Sequence, residues 1–122
     1  MSQEFEQIIT RFGKTIGIPD LKLTDGYCCL IFDEVVVNIE ERGDSAFFYT
    51  TIGELPAEGR ATVCETLLNA NYLYRETQGC TLGADVKSGV IVVAYQTPVA
   101  VLTDPRFERL VENFIQVAET WT

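Results

Sequence analysis

Apolar residues open the chain on a helical period. Phe5, Ile8, Ile9, Phe12 and Ile16 recur at spacings of three and four, which gathers them into one stripe about 100° wide. Glu4, Arg11 and Lys14 fall off that stripe. Ser2 is suited to cap the helix. Gly17 followed by Pro19 should end it, because glycine tolerates a left-handed cap and proline cannot continue a helix. The pattern then turns to strands over Tyr27 to Phe32 and Val35 to Arg42, with Asp33-Glu34 as a two-residue turn that lacks the usual glycine. Arg42-Gly43-Asp44-Ser45 is a stronger turn signal. A third strand, Ala46 to Ile52, is rich in aromatic and β-branched residues.

Residues 53–59 read as a loop. A second helix is expected over Arg60 to Arg75, with Val63, Leu67, Ala70 and Tyr74 along one side and Cys64, Leu68 and Asn71 beside them. Thr81 to Asp85 and Gly89 to Gln96 form a hairpin around Val86-Lys87-Ser88, where Asp85 shapes the turn. Val90 to Tyr95 is apolar throughout, the mark of a central strand or of one covered on both sides. Thr103-Asp104-Pro105 opens the last helix. Its apolar face is Phe107, Leu110, Val111, Phe114, Ile115, Ala118 and Trp121. The order α-β-β-β-α-β-β-α predicts an α+β fold, an antiparallel sheet packed with helices. The 122 residues suggest one domain spanning 1–122, which buries roughly two thirds of its unfolded surface.

Charge narrows the choice of partners. Nine basic residues stand against eighteen acidic ones, a net charge of −9. Nucleic acid and anionic membranes would both repel such a surface, so neither is an expected partner. No segment reaches the ~18 apolar residues of a membrane span. The acidic start, Met1 to Glu6, is unlike a secretory leader, and the cytoplasm is the expected location.

Candidate chemistry is sparse. There is no histidine, so no Ser–His or Cys–His pair can be built. Cys28, Cys29, Cys64 and Cys80 lack metal-ligand spacing and read as buried free thiols, with neighbours Cys28 and Cys29 on opposite faces of a strand. An enzyme using Cys28, Cys64 or Cys80 as nucleophile would need an activating base that is missing. Asp33-Glu34 and Glu40-Glu41 read as solvated charges, since strand neighbours cannot converge on one substrate. Gly79 to Gly83 lacks the lysine and hydroxyl of a phosphate loop. No catalytic, metal or cofactor residue emerges, and no cofactor is expected. The apolar stripes are more telling. Three helices carry one each, while a five-stranded sheet has only two faces. Each stripe either packs on the sheet or marks an interaction surface. In the second helix, Ala70 and Asn71 among leucines suit close contact across a symmetric dimer.

The run Leu67-Leu68, Ala70-Asn71, Gly79, Leu82-Gly83, Asp85 and Gly89, then Pro98 and Leu102, and a closing helix with Leu110, Phe114 and Trp121, resembles the type III secretion chaperones of the Tir-chaperone family, class I. The resemblance implies a non-enzymatic homodimer in the cytoplasm of a Gram-negative bacterium. It implies one secreted effector per dimer, bound by an N-terminal segment in a non-globular form and kept soluble and export-competent, with the secretion ATPase as a further partner. The family dimer maps onto Leu67, Leu68, Asn71, Tyr72 and Leu82. The family's effector-binding grooves map onto Phe5, Ile8, Phe12, Ile31, Phe47 and Tyr49. The alternative is a non-secretory protein-binding or regulatory module on the same scaffold.

Overall fold

A computed structural model describes residues 3–122. The expected cap at Ser2 lies outside the described residues. Helix α1 (Gln3–Thr15) is followed by strands β1 (Tyr27–Phe32), β2 (Val35–Arg42) and β3 (Ser45–Glu54), helix α2 (Arg60–Asn71), strands β4 (Thr81–Ala84) and β5 (Val90–Pro98), and helix α3 (Asp104–Trp121). This is the expected order, and β1 and β2 have the expected bounds. The sheet is antiparallel, in the order β1-β2-β3-β5-β4. β5 is therefore an interior strand, paired on both sides by β3 and β4.

Local chemistry explains most boundaries. Gly17, at φ +86°, turns the chain after α1. Asp33 supplies the left-handed φ of +54° at the glycine-free turn, which aspartate tolerates. The Thr103 hydroxyl accepts from the Arg106 amide and caps α3. At the β4–β5 turn, Asp85 accepts from the Lys87 amide at 3.1 Å and the Ser88 hydroxyl at 2.9 Å. β3 runs past the expected end at Ile52 because an irregularity between Thr51 and Gly53 resets its register against β5.

The core lies between one face of the sheet and helices α1 and α3. Leu30, Val37, Ile39, Phe48 and Val93 point into it, as the alternation predicts. The stripes of α1 and α3 account for themselves by packing here. Phe107 meets Phe12 at 5.0 Å, Phe48 at 5.8 Å and Phe5 at 6.2 Å between ring centroids. Such aromatic pairs each add about 0.5–1.5 kcal/mol beyond area burial. Gly13 is where α1 admits its own following loop. A Cβ there would stand 2.6 Å from both the Ile18 carbonyl oxygen and the Leu21 Cβ. One expected solvated charge is not solvated: Glu41 shares the inner-face parity of Val37 and Ile39 and is buried.

Candidate protein-interaction surfaces

Two surfaces leave large apolar groups uncovered. The first begins in α2, which buries only Leu67 and Ala70. The helix stops at Asn71, four residues short of the expected end. A 3-10 turn over Tyr72–Tyr74 follows, with Leu73 and Tyr74 in the left-handed region at φ +52° and +56°. Helical periodicity continued through this stretch, so the sequence carried no glycine to betray the break. One local and one tertiary bond hold it: the Glu76 amide donates to the Ala70 carbonyl, and the Trp121 indole donates to the Glu76 carbonyl at 3.1 Å. The kink removes Tyr74 from the Leu67–Ala70 side expected for it and leaves it exposed. Leu68 is 70% exposed, Tyr72 59% and Leu73 81%.

The five residues expected at a dimer interface therefore divide. Leu68 and Tyr72 face solvent, whereas Leu67 and Leu82 belong to the core. Asn71 is half-buried and tied to the edge strand. Its Nδ2 donates to the Leu82 carbonyl at 2.7 Å, and its Oδ1 accepts from the Leu82 amide at 2.8 Å. Leu73, more exposed than either, was not singled out by its pattern.

The second surface is the outer face of the sheet with its β1 edge. The Tyr27 amide and carbonyl point away from β2 and bond Thr24 at 3.1 and 2.9 Å. By strand alternation the same groups of Cys29 and Ile31 also point outward, and they have no backbone partner among the described residues. Ile31 is 67% exposed at this edge. Phe47 and Tyr49 are half-buried on the outer face. The Arg42 guanidinium lies over the Phe47 ring at 4.8 Å and forks onto Glu40 at 2.7 and 3.2 Å. Tyr49 donates its hydroxyl to the same carboxylate at 3.1 Å. The Arg42 hydrogen bonds, helped by Tyr49, hold the Glu40 carboxyl below its ordinary range. Tyr27 and Asn38 hydrogen-bond alongside.

The other expected groove residues are elsewhere. Phe5, Ile8 and Phe12 are buried under α3 and the sheet. Only Ile8 and Phe12 reach a cleft, of about 170 Å³ between α1 and α3, across which Arg11 pairs with Asp104 at 2.9 Å. An amphipathic stripe reports that a face is covered, and here the cover is intramolecular.

The cysteines are free. Burial pushes the Cys28 thiol up to about 12 and Cys80 up to about 11, away from the reactive thiolate. Cys64 is half-buried, and Cys29 is exposed on the β1 edge rather than buried as expected.

Residues 7–122 match the model of the Tir chaperone protein (CesT) family. A Tir chaperone of Citrobacter freundii is 25% identical over 122 residues, spanning 98% of this chain and 78% of that protein. A chain in the crystal structure of the ExsC–ExsE complex superposes with a TM-score of 0.83 at 23% identity, over 99% of this chain and 92% of that one. A chain in the crystal structure of the Yersinia pestis type III secretion chaperone SycH with a stable fragment of YscM2 gives a TM-score of 0.75 at 12% identity, over 97% and 99% of the two chains. At these identities the structural likeness is one of fold.

Proposed function

The chain belongs to the Tir chaperone protein (CesT) family, and on that premise we propose that it is a type III secretion chaperone. It binds the N-terminal segment of an effector in a non-globular form and keeps it export-competent. The observation that carries this reading is the inequality of the two sheet edges. Asn71 already occupies Leu82 on β4, whereas Cys29 and Ile31 on β1 offer unused backbone groups at the edge of an outer face that carries Ile31, Phe47 and Tyr49. An extended segment gains main-chain hydrogen bonds at such an edge, and its alternate side chains settle on the face. Each apolar side chain fully buried there contributes about 1.5–3 kcal/mol. Ordering the segment takes back part of that gain, so tight binding needs a long wrap. The acidic surface attracts basic partner segments.

The chaperone acts as a homodimer through α2 and the turn after it. Leu68, Tyr72 and Leu73 form an apolar set too exposed to suit a lone soluble protomer. One effector segment then spans two protomers, and the assembly docks on the secretion ATPase. Leu67 and Leu82 support the interface from within.

The test is a pull-down of the tagged chain from a bacterium with active type III secretion, followed by light proteolysis. A co-purifying fragment from the N-terminal region of a larger protein, protected only while bound, supports the chaperone reading. An intact folded partner, with no protected fragment, replaces it with a regulatory module on the same scaffold.

A further inference from the structure

Four of the six arginines have their guanidinium engaged within the chain. Arg11 pairs with Asp104, and Arg42 pairs with Glu40. Arg60 donates to the Val86 carbonyl at 3.0 Å, and Arg75 stacks over the Tyr72 ring at 5.1 Å. Arg106 and Arg109 remain. Both are exposed, and neither guanidinium has an acidic partner among the described residues. They stand three positions apart on α3, hence on one face, and both border a cleft of about 270 Å³.

The floor of that cleft is apolar, built from Tyr95, Leu102, Leu110 and Phe114. Gln78 borders it too and is tied to α3 by Asn113, whose Nδ2 donates to the Gln78 carbonyl at 3.4 Å. No acidic residue lines it. Two other clefts of this acidic chain carry carboxylates. Asp104 and Glu108 stand beside Arg11 between α1 and α3, and Glu4, Glu41 and Asp44 border the cleft at the β2–β3 turn.

We propose that the α3 cleft docks an acidic protein segment, which seats one apolar side chain on the cleft floor while its carboxylates meet Arg106 and Arg109. Charge complementarity sets the sign of the partner. Guanidinium groups suit carboxylates because their planar forks accept bidentate pairing. The cleft falls below the roughly 300–1,000 Å³ of a pocket for a whole small ligand, so it fits a side-chain anchor. A basic segment drawn to the acidic body elsewhere is repelled here. The site thus serves a second partner of opposite charge, independently of the chaperone reading.

The experiment is an amide NMR titration of the full chain with the end-blocked hexapeptide Asp-Glu-Leu-Phe-Asp-Glu. Its counterpart Lys-Lys-Leu-Phe-Lys-Lys and sodium acetate serve as comparisons. The acidic peptide alone should shift Gln78, Cys80, Arg106, Arg109 and Asn113, less so as salt rises. The double variant R106Q/R109Q, both exposed positions, should keep its melting temperature and bind roughly tenfold more weakly. Equal shifts with the basic peptide, or unchanged binding by the double variant, would overturn the proposal. So would acetate reproducing the shifts, which would make the site one for free carboxylates. Shifts of the same amides on simple dilution would assign the cleft to a second copy of this chain instead.

Discussion

The side-chain amide of Asn71 grips the main chain of Leu82 in both directions, accepting from its N–H at 2.8 Å and donating to its carbonyl at 2.7 Å. A single side chain at the end of α2 thus does for one position of the β4 edge, Leu82, what another strand would do. It also joins the helix to the sheet, because α2 meets the sheet chiefly through β4. Edge strands invite pairing with other chains unless something covers them.

Replacing Asn71 with Ala should cost about 1–3 kcal/mol, since both Leu82 groups lose partners in a half-buried setting. Hydrogen exchange at the Leu82 amide should accelerate more than exchange in the β2–β3 ladder. Asn71→Asp keeps the acceptor but not the donor, and should fall between the two. Urea unfolding with amide exchange checks this, and equal protection at Leu82 in Asn71→Ala would discard the edge-closing role.

Leu67 and Leu68 are neighbours with opposite exposures, 8% and 70%, so aspartate should act differently at each. Leu68→Asp should leave the fold intact and lower the mass seen by light scattering toward that of one chain. Leu67→Asp should lose more stability than the about 2–5 kcal/mol typical of a buried Leu→Ala change, because it buries an unpaired charge. A Leu68→Asp protein with unchanged mass would remove α2 from the proposed interface.

Proline separates the two sides of β1. At Ile31 the lost N–H points outward and is unused, so Ile31→Pro should fold and fail to accept an added strand. Leu30 pairs with Val37 inside the ladder, so Leu30→Pro should disrupt the sheet itself. Circular dichroism reports the fold, and binding of the client fragment reports the edge. Full client affinity in a folded Ile31→Pro protein would place the added strand elsewhere.

Glu40 gives a pH dependence of known sign. Its folded carboxyl titrates below the ordinary 4.5, chiefly because Arg42 donates to it. The stabilisation is therefore fully present above about pH 4.5 and fades as pH falls through the lower folded midpoint. A carbon-detected NMR titration should place the Glu40 midpoint below 4.5 in the native chain. Arg42→Gln should raise it toward that value. An unshifted midpoint would mean that the Arg42 fork does not persist in solution.

Much of this molecule is written in local patterns. The period of α1 marked Phe5, Ile8, Ile9 and Phe12 as one face, and all four are buried. Alternation located β1 and β2 to the residue, because the side chains of a strand change face at every step. Thr103 and Pro105 placed the start of α3 through backbone chemistry that needs no distant partner.

What those patterns cannot encode is the identity of the group on the other side of an apolar face. Phe5, Ile8 and Phe12 suited a groove as well as a core until Phe107, about a hundred residues away in sequence, arrived to cover them. The turn after α2 is likewise held in part from a distance, by the Trp121 indole on the Glu76 carbonyl, with no glycine at Leu73 or Tyr74 to mark it. Edge status is the clearest case. Nothing within Tyr27–Phe32 or Thr81–Ala84 tells that Cys29 and Ile31 keep their outer backbone groups free while Asn71 takes up those of Leu82. Sequence determined the elements, since each depends on neighbours a few residues apart. Tertiary structure decided which faces and edges remain for partners, since that depends on what the rest of the chain has already covered.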